Sequence, residues 1–216
     1  WDDLPFKETD LPVTVQIKGA RVRAWQGIPD ITVDNAEQMT VLEAPPWDAG
    51  MDLTNHAVEV DLAEVVAGPS RVGLKTSGML VSVREDSGFI MRCTECRRVL
   101  RDGICSDCGP NAGAEDIRMR LVVDLDGATA AVLVNKEATL ATLDLDVDAM
   151  RSKIDEIGEQ GFVQHVRDQM LGRHLTVTGR SIVDEQGAMI LADGCSMEVH
   201  DPQMRASELR AQWGWG

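Results

Sequence analysis

Two cysteine pairs of identical spacing constrain this 216-residue chain more than any other feature. Cys93 and Cys96 form one CxxC pair, Cys105 and Cys108 form a second, and eight residues lie between the pairs. Two intervening residues let both sulfur atoms of a pair reach one ion, and four thiolates complete a tetrahedral shell. We expect a turn at residues 101–103 to fold the second pair back onto the first. The sequence therefore predicts one Zn²⁺ ion held by all four thiols.

The four-thiol set favours a structural metal and not an enzyme. Four sulfur ligands leave no open position for water, which a metallohydrolase would need. A redox dithiol is the alternative, but it would place one CxxC pair at a helix start and would not account for the second pair. Four cysteines within sixteen residues also differ from a secreted disulfide scaffold, so we expect a reducing cytoplasm.

The composition is that of a globular protein without membrane contact. Hydrophobic residues make up 44% of the chain, which is enough for a buried core. No apolar run reaches the roughly 18 to 20 residues that span a bilayer, and the N-terminus lacks the features of a secretory signal. Because the first residue is Trp1 and not Met, we expect the chain to be a fragment or a processed product.

The order of predicted elements favours a five-stranded barrel with helices between its third and fourth strands. The barrel strands are expected at 72–83, 117–123, 129–134, 174–183 and 188–199. Helices are expected at 136–143, at 147–171 with breaks at Gly158 and Gly161, and at 203–212 after Pro202. Upstream, the pattern predicts a strand at 13–25, a turn at 27–30, a strand at 31–42 and a helix within 56–67.

The net charge of −15 is unusual for a protein that binds a polyanion, because such proteins usually present a cationic surface. The acidity has a particular character, since Asp outnumbers Glu 22 to 14 and the cations are 16 Arg against 5 Lys. That bias is typical of proteins from salt-loving microbes. We therefore interpret the net charge as an adaptation to the solvent rather than as a property of the binding partner.

The segment between Arg92 and Arg120 is far less acidic than the rest, with six arginines against five carboxylates. Within it, alternation along residues 117–123 places the apolar side chains on one strand face and Arg118 and Arg120 on the other. One face is expected to pack and the other to meet phosphate. The alternative is that these arginines only neutralise nearby carboxylates.

Aromatic platforms for stacked bases are scarce, because the chain has no Tyr, three Phe and five Trp. Phe89, just before the first cysteine pair, and Trp25, beside the expected turn, are the best candidates. Each is at least as well explained as a core residue. Arginine planes can also stack on bases, and they would supplement so few rings.

Residues 87–109, which contain Cys93-Thr-Glu-Cys96 and Cys105-Ser-Asp-Cys108, closely resemble the zinc-bearing segment of archaeal replication protein A. The resemblance extends over about residues 72–199, and residues 15–33 are similar to the closing strands of a preceding OB domain in that family. It implies a mainly β fold: an OB barrel at 69–202 with a zinc ribbon inserted at about 90–110. A partial OB-like unit and linker are expected at 1–68, and a C-terminal helix and tail at 203–216.

The resemblance also implies a function, which is single-stranded DNA binding in replication, recombination and repair without strong sequence preference. The expected partners are single-stranded DNA and other replication protein A subunits. The DNA-binding candidates are Arg92, Arg97, Arg98, Phe89, Arg118, Arg120 and Trp25. The alternative function is an assembly module that docks protein subunits while other domains hold the DNA.

Overall fold

The computed structural model describes residues 4–25, 28–47, 57–198 and 202–214. The fold is mainly β, with 44% strand and 26% helix. The strands of the N-terminal part are β1 (Thr14–Ile17), β2 (Arg21–Trp25), β3 (Ile28–Thr32), β4 (Met39–Leu42) and β5 (Val58–Glu59). They are followed by β6 (Arg71–Val83), β7 (Gly88–Arg92), β8 (Ile104–Cys105), β9 (Gly109–Pro110), β10 (Ala114–Leu125), β11 (Ala128–Val134), β12 (His174–Asp184) and β13 (Gly187–Met197). The α-helices are α1 (Leu62–Ala67), α2 (Lys136–Leu143), α3 (Val147–Met170) and α4 (Pro202–Gln212), and short 3-10 helices span Glu8–Asp10 and Ala36–Gln38.

Five strands close a barrel in the order β6, β10, β11, β13, β12 and back to β6. All of these pairs are antiparallel except β11 with β13, which is parallel. Helices α2 and α3 connect the third barrel strand, β11, to the fourth, β12. This strand order and helix position are those of an OB fold, so the predicted barrel is confirmed.

Strand β6 closes the barrel by pairing with two neighbours in succession. Its first part pairs with β12 up to Met79, and its last part pairs with β10 from Met79 to Val83. Gly78 lies at this exchange, where an added Cβ would be 3.1 Å from Leu62 Cδ2 and 3.2 Å from the Asp124 carbonyl oxygen. The absence of a side chain therefore permits the close approach of the strand to its neighbours.

The core lies inside the barrel and beneath α1 and α3. Alternation along β10 buries one face completely and leaves Arg118 and Arg120 on the other, as the sequence pattern predicts. The buried residues of that strand are Ile117, Met119, Leu121 and Val123, and the helices add Leu62, Val65, Phe162, Val166 and Met170. Most of the buried apolar residues of the described chain therefore belong to one barrel core.

The long helix α3 is kinked where the sequence indicates a break. Gly158 has φ 75° and ψ 164°, which lie outside the helical region, whereas Gly161 continues the helix, so the second expected break is wrong. Beyond the kink, the Arg167 guanidinium donates two hydrogen bonds, of 3.1 and 2.9 Å, to the Val83 carbonyl oxygen. This contact ties the helix to the end of β6.

The elements upstream of the barrel differ from the predicted ones. The expected strand at 13–25 is two strands that pair with different partners, β1 with β4 and β2 with β3, and a 3-10 turn interrupts the expected strand at 31–42. The expected turn at 27–30 is wrong from Ile28 onward, because β3 begins there, and residues 26–27 lie outside the described part. Strands of four or five residues are too short for hydrophobic periodicity to reveal these breaks.

The expected helix within 56–67 begins only at Leu62, because the Asp61 carboxylate caps it by accepting a 2.7 Å hydrogen bond from the Ala63 amide. Val58 and Glu59 instead form β5, which pairs in parallel with β6. Helix α1 also contributes two fully buried residues to the barrel core. The division of the chain at residues 68 and 202, and the OB-like character of the first unit, stay predictions.

Gly179 offers a direct test of barrel closure between β12 and β13. Its φ is +152°, and an added Cβ would lie 2.2 Å from the Leu191 carbonyl oxygen. Gly179→Ala should therefore lower the free energy of unfolding by about 2–4 kcal/mol, through backbone strain and overpacking together. Urea denaturation followed by circular dichroism measures the change.

Gly187→Ala is the matched control, because Gly187 also has a positive φ (+118°) but has nothing within 4 Å of an added Cβ. Gly187→Ala should lower the free energy of unfolding only by the backbone strain, about 1–2 kcal/mol. Equal losses in the two variants would contradict the close approach of β12 and β13 at Gly179.

Candidate functional site

The four predicted cysteines come together at one point. The sulfur atoms of Cys93, Cys96, Cys105 and Cys108 all lie within 4.8 Å of one another, and those of Cys96 and Cys105 are 3.4 Å apart. A tetrahedral zinc ion with bonds of about 2.3 Å requires sulfur atoms roughly 3.8 Å apart. The cluster therefore has the size and donor set that hold one metal ion.

The two cysteine pairs adopt matching loops. In each loop the residue four positions after the first cysteine has a positive φ, which is 64° at Arg97 and 80° at Gly109. In the first loop the Cys93 amide donates to the Arg98 carbonyl oxygen at 2.7 Å, and the Arg97 amide donates to the Cys93 carbonyl oxygen at 3.0 Å. This backbone geometry turns both sulfur atoms of the pair toward the same point.

A tight turn brings the second loop onto the first, as predicted. Asp102 and Gly103 both have positive φ, 51° and 74°, and Arg101 and Ile104 exchange backbone hydrogen bonds of 3.1 and 2.9 Å. Two successive positive φ values define a type I′ turn, for which Asp-Gly is a preferred sequence. The turn leads into β8, which pairs with β9 across the second cysteine loop and completes the cysteine ribbon, residues 93–110.

The Asn111 side chain joins the two ends of the cysteine ribbon. Its Oδ1 accepts hydrogen bonds from the amide and hydroxyl of Thr94, each at 3.2 Å, and from the Gly113 amide at 2.9 Å. Thr94 follows the first cysteine, and Gly113 leads into β10. Asn111 therefore supports the cysteine loops from outside the cluster.

The environment prepares one thiol for ionisation. Amide hydrogens of Asp107 and Cys108 point at the Cys105 sulfur and lower the pKa of that thiol to about 7. The neighbouring Cys96 thiol, followed by burial, raises the pKa of Cys108. Cys195 lies apart from the cluster, half-buried, and burial raises the pKa of its thiol to about 11. Without a bound cation, the Cys105 thiol therefore ionises more readily than the Cys108 thiol.

Strand β7 connects the barrel to the ribbon and pairs with the first part of β10. The Leu100 amide donates to the Met91 carbonyl oxygen at 2.7 Å, and Leu100 is buried with Cys93 and Cys105 in a small second core. Because that core contains a single aliphatic side chain besides two thiols, burial alone gives the ribbon little stability.

A cleft of about 1330 Å³ lies between the cysteine ribbon and the barrel wall. We call it the ribbon cleft. Its basic residues are Arg98, Arg101, Arg118 and Arg120, its acidic residues are Glu85, Asp86, Asp102 and Glu159, and its apolar residues include Phe89, Ile154 and Phe162. The cleft is therefore balanced in formal charge, whereas the chain as a whole is strongly acidic.

Several of the predicted DNA-binding arginines form ion pairs with carboxylates of this chain. Arg118 and Arg120 both pair with Asp86, at 2.6 and 2.7 Å, while Arg98 pairs with Asp107 and Arg92 with Asp116. Partial burial opposes the ionisation of Asp86, but the hydrogen bond and charge of Arg120 and the charge of Arg118 hold its pKa below the ordinary value. The predicted DNA-binding residues thus have protein partners of their own.

The structure separates the predicted DNA-binding residues into groups. Phe89, Arg98, Arg118 and Arg120 line the ribbon cleft, whereas Arg92 lines a second cavity, of about 590 Å³, beside β11 and β12. Arg97 lines neither cavity; its carbonyl oxygen accepts a 3.1 Å hydrogen bond from Arg92 Nη1. The Trp25 side chain lies outside the described residues. The DNA-binding roles stay predictions.

Phe89 is half-buried against the barrel core, and a cation covers its ring. The Arg151 guanidinium lies 4.5 Å from the ring centroid and pairs with Glu115. A base that stacks at this point would meet Arg151 as well as the ring.

Sequence reasoning did not identify Asp86, Asn111 or Arg151. The sequence Asp-Ser-Gly at 86–88 indicates only a turn, and Asn111 lies in a loop of small residues. Arg151 lies in the predicted helix at 147–171, and nothing in the helical pattern places it over Phe89. Each of these contacts joins residues far apart in sequence, which local patterns do not reveal.

An OB barrel with a four-cysteine ribbon between its first two strands is the class of structure that these observations define. The sequence matches no protein-family model and no curated protein. Within the described part of the chain, no helix is both long and apolar enough to cross a membrane.

Among solved structures, the chain is similar to a replication protein A heterotrimer bound to single-stranded DNA, with 12% identity and a TM-score of 0.46. That match covers 97% of this chain and 56% of the other, so this chain spans little more than half the length of that relative. A yeast replication protein A bound to single-stranded DNA matches at 13% identity and TM-score 0.39, over 65% of this chain and 84% of that one. The Schizosaccharomyces pombe Stn1–Ten1 complex matches at 10% identity and TM-score 0.27, over 68% and 73%. With TM-scores below 0.5, these likenesses support no function for this chain.

Removal of the Asn111 side chain should loosen the two ends of the cysteine ribbon, which that side chain joins. We expect Asn111→Ala to weaken metal retention about 10-fold to 100-fold, because outer hydrogen bonds orient the ligands. Competition between the protein and a chromophoric chelator measures the affinity. Ser106→Ala is the control, since that hydroxyl bonds to the exposed Asp107 carboxylate. Equal retention in the two variants would contradict a supporting role for Asn111.

Proposed function

We propose that this chain binds single-stranded DNA in the ribbon cleft, without strong sequence preference, and acts in DNA replication, recombination and repair. The observation that carries the proposal is the position of Arg98, Arg101, Arg118 and Arg120 around one cleft between an OB barrel and its ribbon. Arginine contacts to phosphate position a strand without reading its bases. The family resemblance of the ribbon sequence supports the same function.

The size and lining of the ribbon cleft suit a polymer. Its volume of about 1330 Å³ exceeds the roughly 300–1,000 Å³ of ordinary small-molecule pockets. Apolar side chains stand beside the arginines, and such a combination is used to bind bases and phosphates together. Phe89 is the stacking candidate within the cleft, and Arg92 and Arg97 would act outside it. Trp25 is a second stacking candidate.

We further propose that the four thiolates hold Zn²⁺ in a structural role and that the chain is not an enzyme. Four sulfur ligands favour zinc over harder cations and leave no position for a substrate. The ion would replace the hydrophobic core that the ribbon lacks. We also propose that the chain associates with other replication protein A subunits, is located in the cytoplasm and comes from an archaeal, salt-loving source.

Zinc should therefore be bound tightly, at one ion per chain, and its removal should unfold the ribbon while the barrel persists. Elemental analysis of freshly purified, reduced protein measures the content, and limited proteolysis after chelation reports the unfolding. Cys105→Ser should lose the ion, whereas Cys195→Ser, outside the cluster, should keep it. Protein without zinc, or a Cys105→Ser variant as stable as the parent, would contradict the proposal.

The arginines of β10 should account for part of the DNA affinity. Each phosphate contact to a single strand contributes about 0.7 to the slope of log affinity against log salt. The double variant Arg118→Ala, Arg120→Ala should thus flatten the slope by at most roughly 1.4, because both arginines are already paired with Asp86. Fluorescence anisotropy of labelled oligonucleotides across a salt series measures it, and the loss should be similar for all base compositions.

Arg71→Ala with Lys75→Ala is the control, because both residues lie on β6 of the barrel and line neither the ribbon cleft nor the second cavity. The two cations stand on one strand, as the first pair does. The control should keep the parental slope. If both double variants bind as the parent does, the DNA lies elsewhere. If the parent does not bind, the assembly module becomes the better interpretation.

A further inference from the structure

One carboxylate oxygen lies between the two arginines of β10. Asp86 Oδ2 is 2.6 Å from Arg118 Nη2 and 2.7 Å from Arg120 Nη1. Arg118 Nε also lies 3.5 Å from the backbone oxygen of Asp86. Two guanidinium groups around one anionic oxygen form the arrangement in which arginines bind phosphate.

The three side chains of this contact differ in burial. The Arg118 side chain is 13% exposed, whereas those of Arg120 and Asp86 are 44% and 45% exposed. Burial lowers the pKa of Arg118, and the charge of the Asp86 carboxylate opposes that change. The cationic half of the pair belongs to the barrel wall, and the anionic half belongs to the exposed turn at residues 84–87.

The turn is fixed against the barrel independently of the Asp86 side chain. The Ser87 hydroxyl accepts a 2.9 Å hydrogen bond from the Arg120 amide, and the Arg84 amide donates to the Arg120 carbonyl oxygen at 2.8 Å. A change at Asp86 therefore alters the charge beside the arginines and keeps the backbone that carries them.

We propose that Arg118 and Arg120 form a phosphodiester subsite of the ribbon cleft, and that Asp86 occupies this subsite until a backbone phosphate of a single strand displaces it. This inference rests on the proposed function. Asp86 is then a built-in competitor that lowers the affinity for the strand. All three residues line the ribbon cleft, so the exchange takes place where the strand would run.

The test is Asp86→Asn, which removes the charge and keeps the shape of the side chain, with Asp86→Ser as a second variant. Binding of a fluorescein-labelled oligothymidylate is measured by anisotropy at low salt. We expect both variants to bind about threefold to tenfold more tightly than the parent, because an ion pair no longer has to be broken. A melting curve of each variant shows that the fold is kept.

Glu85→Gln is the matched control for general charge effects. Glu85 lies one residue earlier in the same turn and lines the same cleft, and it forms no ion pair among the described residues. It should change the affinity by less than about twofold, as expected of an unpaired surface charge. In the Arg118→Ala, Arg120→Ala background, Asp86→Asn should have no more effect than Glu85→Gln.

Two results would overturn the inference. If Asp86→Asn and Asp86→Ser bind no more tightly than Glu85→Gln, while the arginine double variant still weakens binding, Asp86 positions the arginines and does not compete. If the gain persists in the arginine double variant, the competitor acts at another subsite. A parent protein that does not bind the oligothymidylate overturns the proposed function itself, which distinguishes the two failures.

Discussion

The barrel depends on one strand that pairs with two neighbours in succession. Strand β6 pairs with β12 and then with β10, and it exchanges partners at Gly78, where little room remains for a side chain. This closure sets the end of β6 beside the middle of β10. The turn that carries Asp86 then faces Arg118 and Arg120, and β7 leads from the same turn into the cysteine ribbon. Closure of the barrel thus positions both walls of the ribbon cleft.

The ribbon and the barrel are stabilised by different means. The barrel buries a large set of aliphatic side chains, whereas the ribbon buries Leu100 and two thiols. On the proposed structural role, a shared ion would stabilise the ribbon, and the Asp102-Gly103 turn and Asn111 arrange the cysteine loops beforehand. The ion would then act on DNA binding indirectly, because it would hold Arg98 and Arg101 across the cleft from the barrel wall.

The sequence predicts those features that depend on local spacing. The CxxC pairs, the outward direction of Arg118 and Arg120, the bounds of α2 and the kink at Gly158 all follow from patterns within a few residues. The upstream strands have only four or five residues each, so periodicity does not show where they break. Asp86 is outside the reach of such patterns, since it meets Arg118 across 32 residues of sequence. The contact arises only when the barrel closes.

The local charge of the ribbon cleft depends on ion pairs and not on the net charge of the chain. Arg92, Arg98 and Arg151 each pair with a carboxylate, as the β10 arginines do, so the net charge of −15 does not describe the ribbon cleft. Under the proposed function, the phosphates of a DNA strand that enters the cleft replace the carboxylates as partners of the arginines. Part of the usual release of counterions is then replaced by release of protein carboxylates, and the dependence of binding on salt is weaker than the number of contacts implies.

The most direct test of the central claim is hydrogen–deuterium exchange of the zinc-loaded protein with and without a saturating oligothymidylate. Protection should appear in the turn and strand at 84–91, in the ribbon at 98–106 and around residues 118–120, which together line the ribbon cleft. The first part of β6, around Arg71 and Lys75, should exchange as before. Protection confined to that part of β6, or no change in the ribbon cleft although the oligothymidylate is bound, would contradict the account.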